Sequence, residues 1–170
     1  MGVLKIYKYP EVVLTERAEE VQNIDGDIKK LVDDMVETMY KAPGIGLAAN
    51  QVGVLKRIFV CDVSTKEKAF PLIVVINPEL VLSEDFIESE EGCLSLPGCS
   101  INIKRAKEVL LKGYDLEGKP FEINADGLLS RAIQHEYDHL NGVVLFDKIS
   151  PFKREFHKKR YLKRLHRDEP

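Results

Sequence analysis

No purely aliphatic run in the 170-residue chain is longer than the five residues Leu72 to Ile76, whereas a helix that crosses a bilayer needs about 20. A membrane-spanning helix is therefore excluded. Cysteine is scarce and odd in number, only Cys61, Cys93 and Cys99, which excludes a disulfide scaffold and leaves three thiols to explain. Glycine (11) and proline (8) are too few, and repeats too absent, for a collagen-like, low-complexity or disordered chain. The N-terminal MGVLKIYKYP is broken by lysine and proline and lacks the apolar stretch of about 7 to 15 residues that a secretory signal requires. Ile6 also stands where an acylation signal wants Ser or Thr. The expectation is a cytoplasmic protein with no membrane partner.

What remains is an ordinary globular composition, 44% hydrophobic and 31% charged with a formal net charge of −3, at a length that suits one domain. The charge is unevenly spread. Residues 151–170 carry eight Lys or Arg against three acids, a net of +5, so residues 1–150 carry −8. With no linker or repeat elsewhere, the chain reads as one α+β domain, residues 1–150, with a basic helical extension of the same domain over 151–170. Phe152, Phe156, Leu162 and Leu165 form a weak apolar stripe on that extension, which predicts either a solvated helix docked on the domain or an electrostatic attachment to RNA.

Ile28, Leu31, Val32, Met35, Val36 and Met39 recur at the spacing of one helical face behind the capping candidates Asp25 and Asp27, which predicts a helix over about 27–41. Pro43, Gly44 and Gly46 stop it. Strand-like runs follow at 55–61, 72–76 and 79–82, and the segments 108–114 and 121–124 read as a hairpin whose turn residue Gly118 supplies a positive φ. A second helix is expected over about 126–141, with Leu129, Ala132, Ile133 and Leu140 on its core side and Gly142 just past its end. Cys61, within a β-branched and aromatic stretch, reads as a small buried filler.

The chemistry-bearing residues begin on that second helix. His135-Glu136-Tyr137-Asp138-His139 is an H-E-x-x-H pattern, and side chains four apart on a helix lie on one face with Cβ atoms roughly 5–6 Å apart. Two imidazoles can then hold one metal ion, since ligand nitrogens sit about 2.0–2.1 Å from it, and Glu136 can reach a water on that ion. Cys93, in Glu91-Gly92-Cys93-Leu94-Ser95, lies where the backbone can turn tightly and present a thiolate and a free N–H to one site. Alone it would more often be buried filler than a ligand. Gly44-Ile45-Gly46-Leu47-Ala48-Ala49-Asn50-Gln51 offers close backbone approach and an amide donor on Gln51, though a G-x-G by itself is only a loop.

Together GIGLAANQ (44–51), EGCLS (91–95) and QHEYDHL (134–140) resemble, in order and spacing, the three signature motifs of the peptide deformylases. The resemblance runs from the Tyr9-Pro10 region to Ser150. It implies hydrolysis of the N-formyl group from the initiator methionine of nascent chains. It implies Cys93, His135 and His139 as ligands of one divalent ion, usually Fe²⁺ with Zn²⁺, Ni²⁺ or Co²⁺ possible, and Glu136 as general base and then acid. It further implies Gln51 and the backbone N–H of Leu94 as donors to the developing oxyanion, and Ile45 and Gly46 as backbone partners of the peptide. Ile45 and Leu128 are implied as walls of the methionine pocket with His135 at its base, while Arg131 and Ser89 stand at positions more apolar in some relatives. Glu91 and Arg105 are candidates to brace the cysteine loop. The resemblance also implies short mixed or antiparallel sheets around a central metal-binding helix, followed by a C-terminal helix, and allows a ribosome contact through the basic extension.

Two rivals share some of these residues. A zincin-type metalloprotease would take its third ligand downstream of His139, where only His157 and His166 remain, both in the basic segment. A structural metal site in an RNA-binding module would be closed by a fourth protein ligand, for which Cys99 is the candidate.

Overall fold

The computed structural model describes residues 2–168. Helix α1 spans Gly26–Lys41, and the Asp25 carboxylate accepts from the Ile28 N–H at 3.0 Å, so the first turn is capped as its sequence requires. A five-stranded antiparallel sheet has the order β1-β2-β3-β6-β7, from β1 (Gly46–Ala48), β2 (Ile58–Cys61), β3 (Ile73–Leu82), β6 (Glu108–Tyr114) and β7 (Pro120–Asp126). A second, two-stranded sheet is the hairpin of β4 (Phe86–Cys93) and β5 (Leu96–Ala106). Helix α2 spans Gly127–Leu140 and helix α3 spans Pro151–Asp168. None of the described helices is long and apolar enough to cross a membrane.

The centre of the larger sheet is covered on both faces, which explains why β2 and the start of β3 read as continuous apolar runs instead of alternating ones. Phe59, Cys61, Ile73 and Val75 pack with Leu111, Val109, Ala132, Ile133 and Leu140 on the α2 side. Ile58, Val60 and Ile76 pack with Val32, Met35 and Met39 on the α1 side. Cys61 is the buried filler its context predicts. A third cluster joins β5, through Leu96, Ile101 and Ile103, to Val144, Leu145 and Phe146 and to Tyr161 of α3.

Several boundaries differ from the sequence reading. The runs at 72–76 and 79–82 are one strand, bent at a bulge between Ile76 and Glu79. Asn77 sits there at φ 53, its side chain accepting from the Val21 N–H and donating to the Val21 carbonyl, while Pro78 has no N–H to give the ladder. Strand β7 is longer than 121–124, and the run at 55–61 narrows to 58–61. The hairpin β4–β5 is the larger omission: β4 is exposed along most of its length and shows no apolar alternation to read. On α3 the apolar stripe is only half right. Leu162 and Leu165 are partly buried, but Phe152 is 85% exposed, and the anchor is Tyr161, whose hydroxyl donates to the Tyr9 carbonyl at 2.8 Å.

Candidate metal centre and active site

Helix α2 is fixed before its ligands are. Gln134 accepts from the Ala106 N–H at 3.0 Å and donates to the Ala106 carbonyl at 2.9 Å, so one side chain docks the helix on the end of β5. At the far end Arg57, buried, donates to the Leu140 carbonyl at 3.0 Å and to Asn141 Oδ1 at 2.9 Å, placing a cation on the carbonyl terminus of α2. Gly142, at φ +75, follows where an added Cβ would strike the Thr15 backbone, so the helix ends where its sequence stops it.

The H-E-x-x-H residues then meet the tip of the β4–β5 hairpin. Cys93 ends β4, and Leu94-Ser95 make the turn to Leu96. Cys93 Sγ lies 3.3 Å from His139 Nε2, which lies 3.2 Å from His135 Nε2, and one donor atom from each residue falls within 4.8 Å of the others. Among the described residues this is the one such trio of candidate ligands, and Cys99, within the third core cluster, is not part of it. His135 Nδ1 faces the Glu91 carboxylate at 3.1 Å, an acceptor for an Nδ1 proton, and Nε2 is thereby turned toward the other two donor atoms.

Glu91 is the hub beneath this group. Its carboxylate takes two bonds from Arg105, at 2.9 and 3.0 Å, and one from Arg131 at 2.7 Å. Arg105, only 3% exposed, also pairs with Asp138, which Lys148 approaches at 3.6 Å. Burial alone would raise the Glu91 pKa, but the hydrogen bonds from His135 and Arg105 outweigh it and bring it down to about 2. Glu91 and Arg105 are thus paired, and Arg131 joins them while also donating to the carbonyls of Ile87, Ser89 and Ile103.

Glu136, next to His135 in the chain, is 3% exposed, and burial raises its pKa to about 7. Its Oε1 has no hydrogen-bond partner, a costly state for a buried carboxyl oxygen. His139 Nδ1 is likewise unpartnered. Burial pushes His139 well below its ordinary range, helped by the charges on His135 and Arg105. In His135 burial acts in the same direction but is overcome by Glu136, Cys93 and Glu91, and its pKa rises.

The glycine loop closes the group from a third side. An added Cβ at Gly46 would lie 2.9 Å from the Glu136 carboxyl carbon, so this position has room for no side chain. Gln51 accepts from the Ala48 N–H at 3.0 Å, which turns its NH₂ toward Ser95 Oγ (3.1 Å) and Cys93 Sγ (3.6 Å). Ile45 and Leu128 line the mouth of the adjoining cavity at 43% and 49% exposure, with Gly46, Leu94, His135 and Glu136 further along its wall. The cavity encloses about 940 Å³.

The donor set fits a metal: one thiolate and two imidazoles suit a borderline-soft divalent ion. Three protein ligands are the number at a catalytic centre that keeps a position for water, and the unpartnered Glu136 oxygen lies beside them. Sequence reasoning singled out Cys93, His135 and His139, and the structure brings their donor atoms together. The same reasoning missed Gln134, Asp138 and Arg131 as supports, although Asp138 and Arg131 lie one helical turn from His135 and could have been found by that spacing.

A family model described as "Polypeptide deformylase" matches residues 3–155. A "Peptide deformylase" of Thermodesulfovibrio yellowstonii is 57% identical over 161 residues, covering 95% of this chain and 98% of the relative. One from Pseudomonas aeruginosa is 47% identical over 170 residues, covering 99% of each. Among solved structures, a peptide deformylase from Ehrlichia chaffeensis superposes with a TM-score of 0.91 at 40% identity, over 98% of both chains. A second structure from that organism, titled as a complex with actinonin, gives 0.88 at 42% identity over 96% of this chain and 98% of the other.

Proposed function

The chain belongs to the peptide deformylase family, and from that premise we propose that it hydrolyses the N-formyl group from the initiator methionine of nascent polypeptides, releasing formate and a free amino terminus. The observation that carries this reading is the meeting of Cys93, His135 and His139 within 4.8 Å beside the buried, half-unpartnered Glu136.

Cys93, His135 and His139 would hold one divalent ion; Fe²⁺ is the assignment, by the resemblance to the family, over Zn²⁺, Ni²⁺ or Co²⁺, which the same donors accept. When bound, such an ion polarises a carbonyl oxygen and lowers the pKa of water from about 15.7 toward about 7. Glu136, its pKa raised to about 7 by burial, can take the proton of the attacking water at neutral pH and return it to the nitrogen of the leaving amine. Charge gathering on the formyl oxygen is met by the Gln51 NH₂ and the Leu94 N–H. Loss of one such donor typically costs about 100- to 1000-fold in rate. The tie from Ala48 supports this role for Gln51, because it leaves the amide one orientation.

Strand β1 is the edge of its sheet, which supports the peptide lying extended beside Ile45 and Gly46 as an added strand. The methionine side chain then enters between Ile45 and Leu128 toward His135. We read residues 1–150 as the catalytic domain and the rest as its extension, and assign to α3 a contact with ribosomal RNA. The exposed Lys153, Lys159 and Lys163 support that contact. Since removing α3 would uncover the core around Tyr161, the test is charge reversal at those three lysines, read by ribosome pelleting over a salt series. Recovery that is unchanged and insensitive to salt rejects the contact.

The test of the reaction is formate release from formyl-Met-Ala-Ser by anaerobically prepared protein, with metal analysis. Glu136→Ala is expected to keep its ion and lose several orders of magnitude in rate, and Cys93→Ala to lose the ion. Cleavage of an internal peptide bond without formate would favour the protease rival. Cys99 on the metal would favour a structural site.

A further inference from the structure

At about 940 Å³ the cavity lies near the upper end of the roughly 300–1,000 Å³ typical of ligand pockets, and it is not all accounted for by one methionine. Its wall away from α2 and β4 is made by an N-terminal strap and the last turn of α1. The strap is pinned at four places: Gly2 N–H to Asp34 Oδ1 (2.9 Å), Leu4 N–H to Thr38 Oγ1 (2.8 Å), Tyr7 N–H to the Gln51 carbonyl (2.7 Å) and Tyr9 N–H to the Ser95 carbonyl (2.9 Å). It therefore runs from α1, past the glycine loop, to the hairpin tip that carries Cys93.

Three lysines are among the residues that line this part of the cavity, Lys5 and Lys8 from the strap and Lys41 from the end of α1. Among the described residues none of the three has a carboxylate within ion-pair distance; Lys5 rests over the Tyr7 ring at 4.8 Å. The acids on the opposite wall are mostly spoken for. Glu91 is held by Arg105, Arg131 and His135, and Glu136 is buried behind Gly46, which leaves Glu90. Arg131 is tied to Glu91 and three backbone carbonyls. Three lysines against Glu90 leave the uncommitted charge along this part of the cavity net positive.

We propose that Lys5, Lys8 and Lys41 form a subsite that favours acidic side chains at the residues following formyl-methionine, and disfavours lysine and arginine there. This rests on the deformylase reading above and adds the substrate preference of the same site. Because the ammonium groups are solvent-exposed, each pairing is worth at most about fivefold, and salt weakens it.

The experiment compares kcat/KM for C-terminally amidated formyl-Met-Ala-Asp, formyl-Met-Asp-Ala and their lysine counterparts, using the full-length metal-loaded enzyme at low and high salt. Wild type is expected to prefer the acidic member of at least one pair by about five- to tenfold at low salt. That ratio should shrink at high salt, and fall to near one in Lys5→Gln/Lys8→Gln/Lys41→Gln, each single variant taking part of it. An acidic-to-basic ratio near one in wild type at low salt overturns the subsite, as does a preference that survives the triple substitution. Failure to release formate from any of the four peptides would instead overturn the deformylase reading itself.

Discussion

The five-stranded sheet and the β4–β5 hairpin both reach the candidate metal centre, but they are held in different ways. The former is sandwiched between α1 and α2, and its inner strands bury side chains on both faces. The latter packs through β5 on the third apolar cluster, but it presents an almost wholly exposed β4 and is tied to α2 by ions: Glu91, Arg105, Arg131 and Asp138. Apolar packing can fix a scaffold, yet it tolerates small shifts. A buried, hydrogen-bonded charge network has few alternative geometries, and it is the hairpin, not the sheet, that must deliver a sulfur to two ring nitrogens.

Substitutions in each region should therefore fail differently. Glu91→Ala leaves Arg105 buried with one partner fewer and frees the His135 ring. We expect a loss of about 3–5 kcal/mol in unfolding free energy, with metal affinity down about 10- to 100-fold, read by urea unfolding and metal titration. Leu111→Ala, in the core beneath α2, should cost roughly a comparable 2–5 kcal/mol in stability, yet leave the metal affinity of the folded protein within about twofold, because its core cluster contains none of the three donor residues. Equal damage to metal binding by both variants would erase the contrast.

The smallest effect concerns the glycine-loop side. The Tyr40 hydroxyl donates to Asp62 at 2.5 Å, and the Asp62 N–H holds the Ile45 carbonyl at 2.8 Å. The hydrogen bond from Tyr40 pulls the Asp62 pKa below its ordinary value, and the same contact raises that of Tyr40 to about 12. A depressed carboxylate contributes stability above the ordinary aspartate range, and that contribution disappears as the pH falls through its folded value. Tyr40→Phe should thus cost at most about 1 kcal/mol at neutral pH, the pair being largely exposed. The gap from wild type should close in acid. A gap that widened in acid would contradict the assignment.

Much of this was legible in the sequence, for identifiable reasons. Helix α1 shows its buried face by spacing, β2 and β3 by their unbroken apolar runs, and the β6–β7 turn by Gly118 at φ 78. Cys93, His135 and His139 could be singled out because they are rare residues in ordered motifs. Strand β4 could not, since a strand held by charges from another element carries no periodic signature of its own. Tyr161 escaped for a related reason: one anchoring ring on a mainly basic helix leaves no stripe. Phe152 and Phe156 supplied a misleading one.

Gly46 lines the cavity while its α-carbon lies against the Glu136 carboxyl. An inhibitor seated on that backbone would lean on a spot the enzyme can hardly redecorate, because even a methyl group added there to repel the drug would dislodge the Glu136 carboxyl. Escape from such a compound should accordingly arise through Ile45, Leu128 or the lysines of the strap, and seldom at position 46.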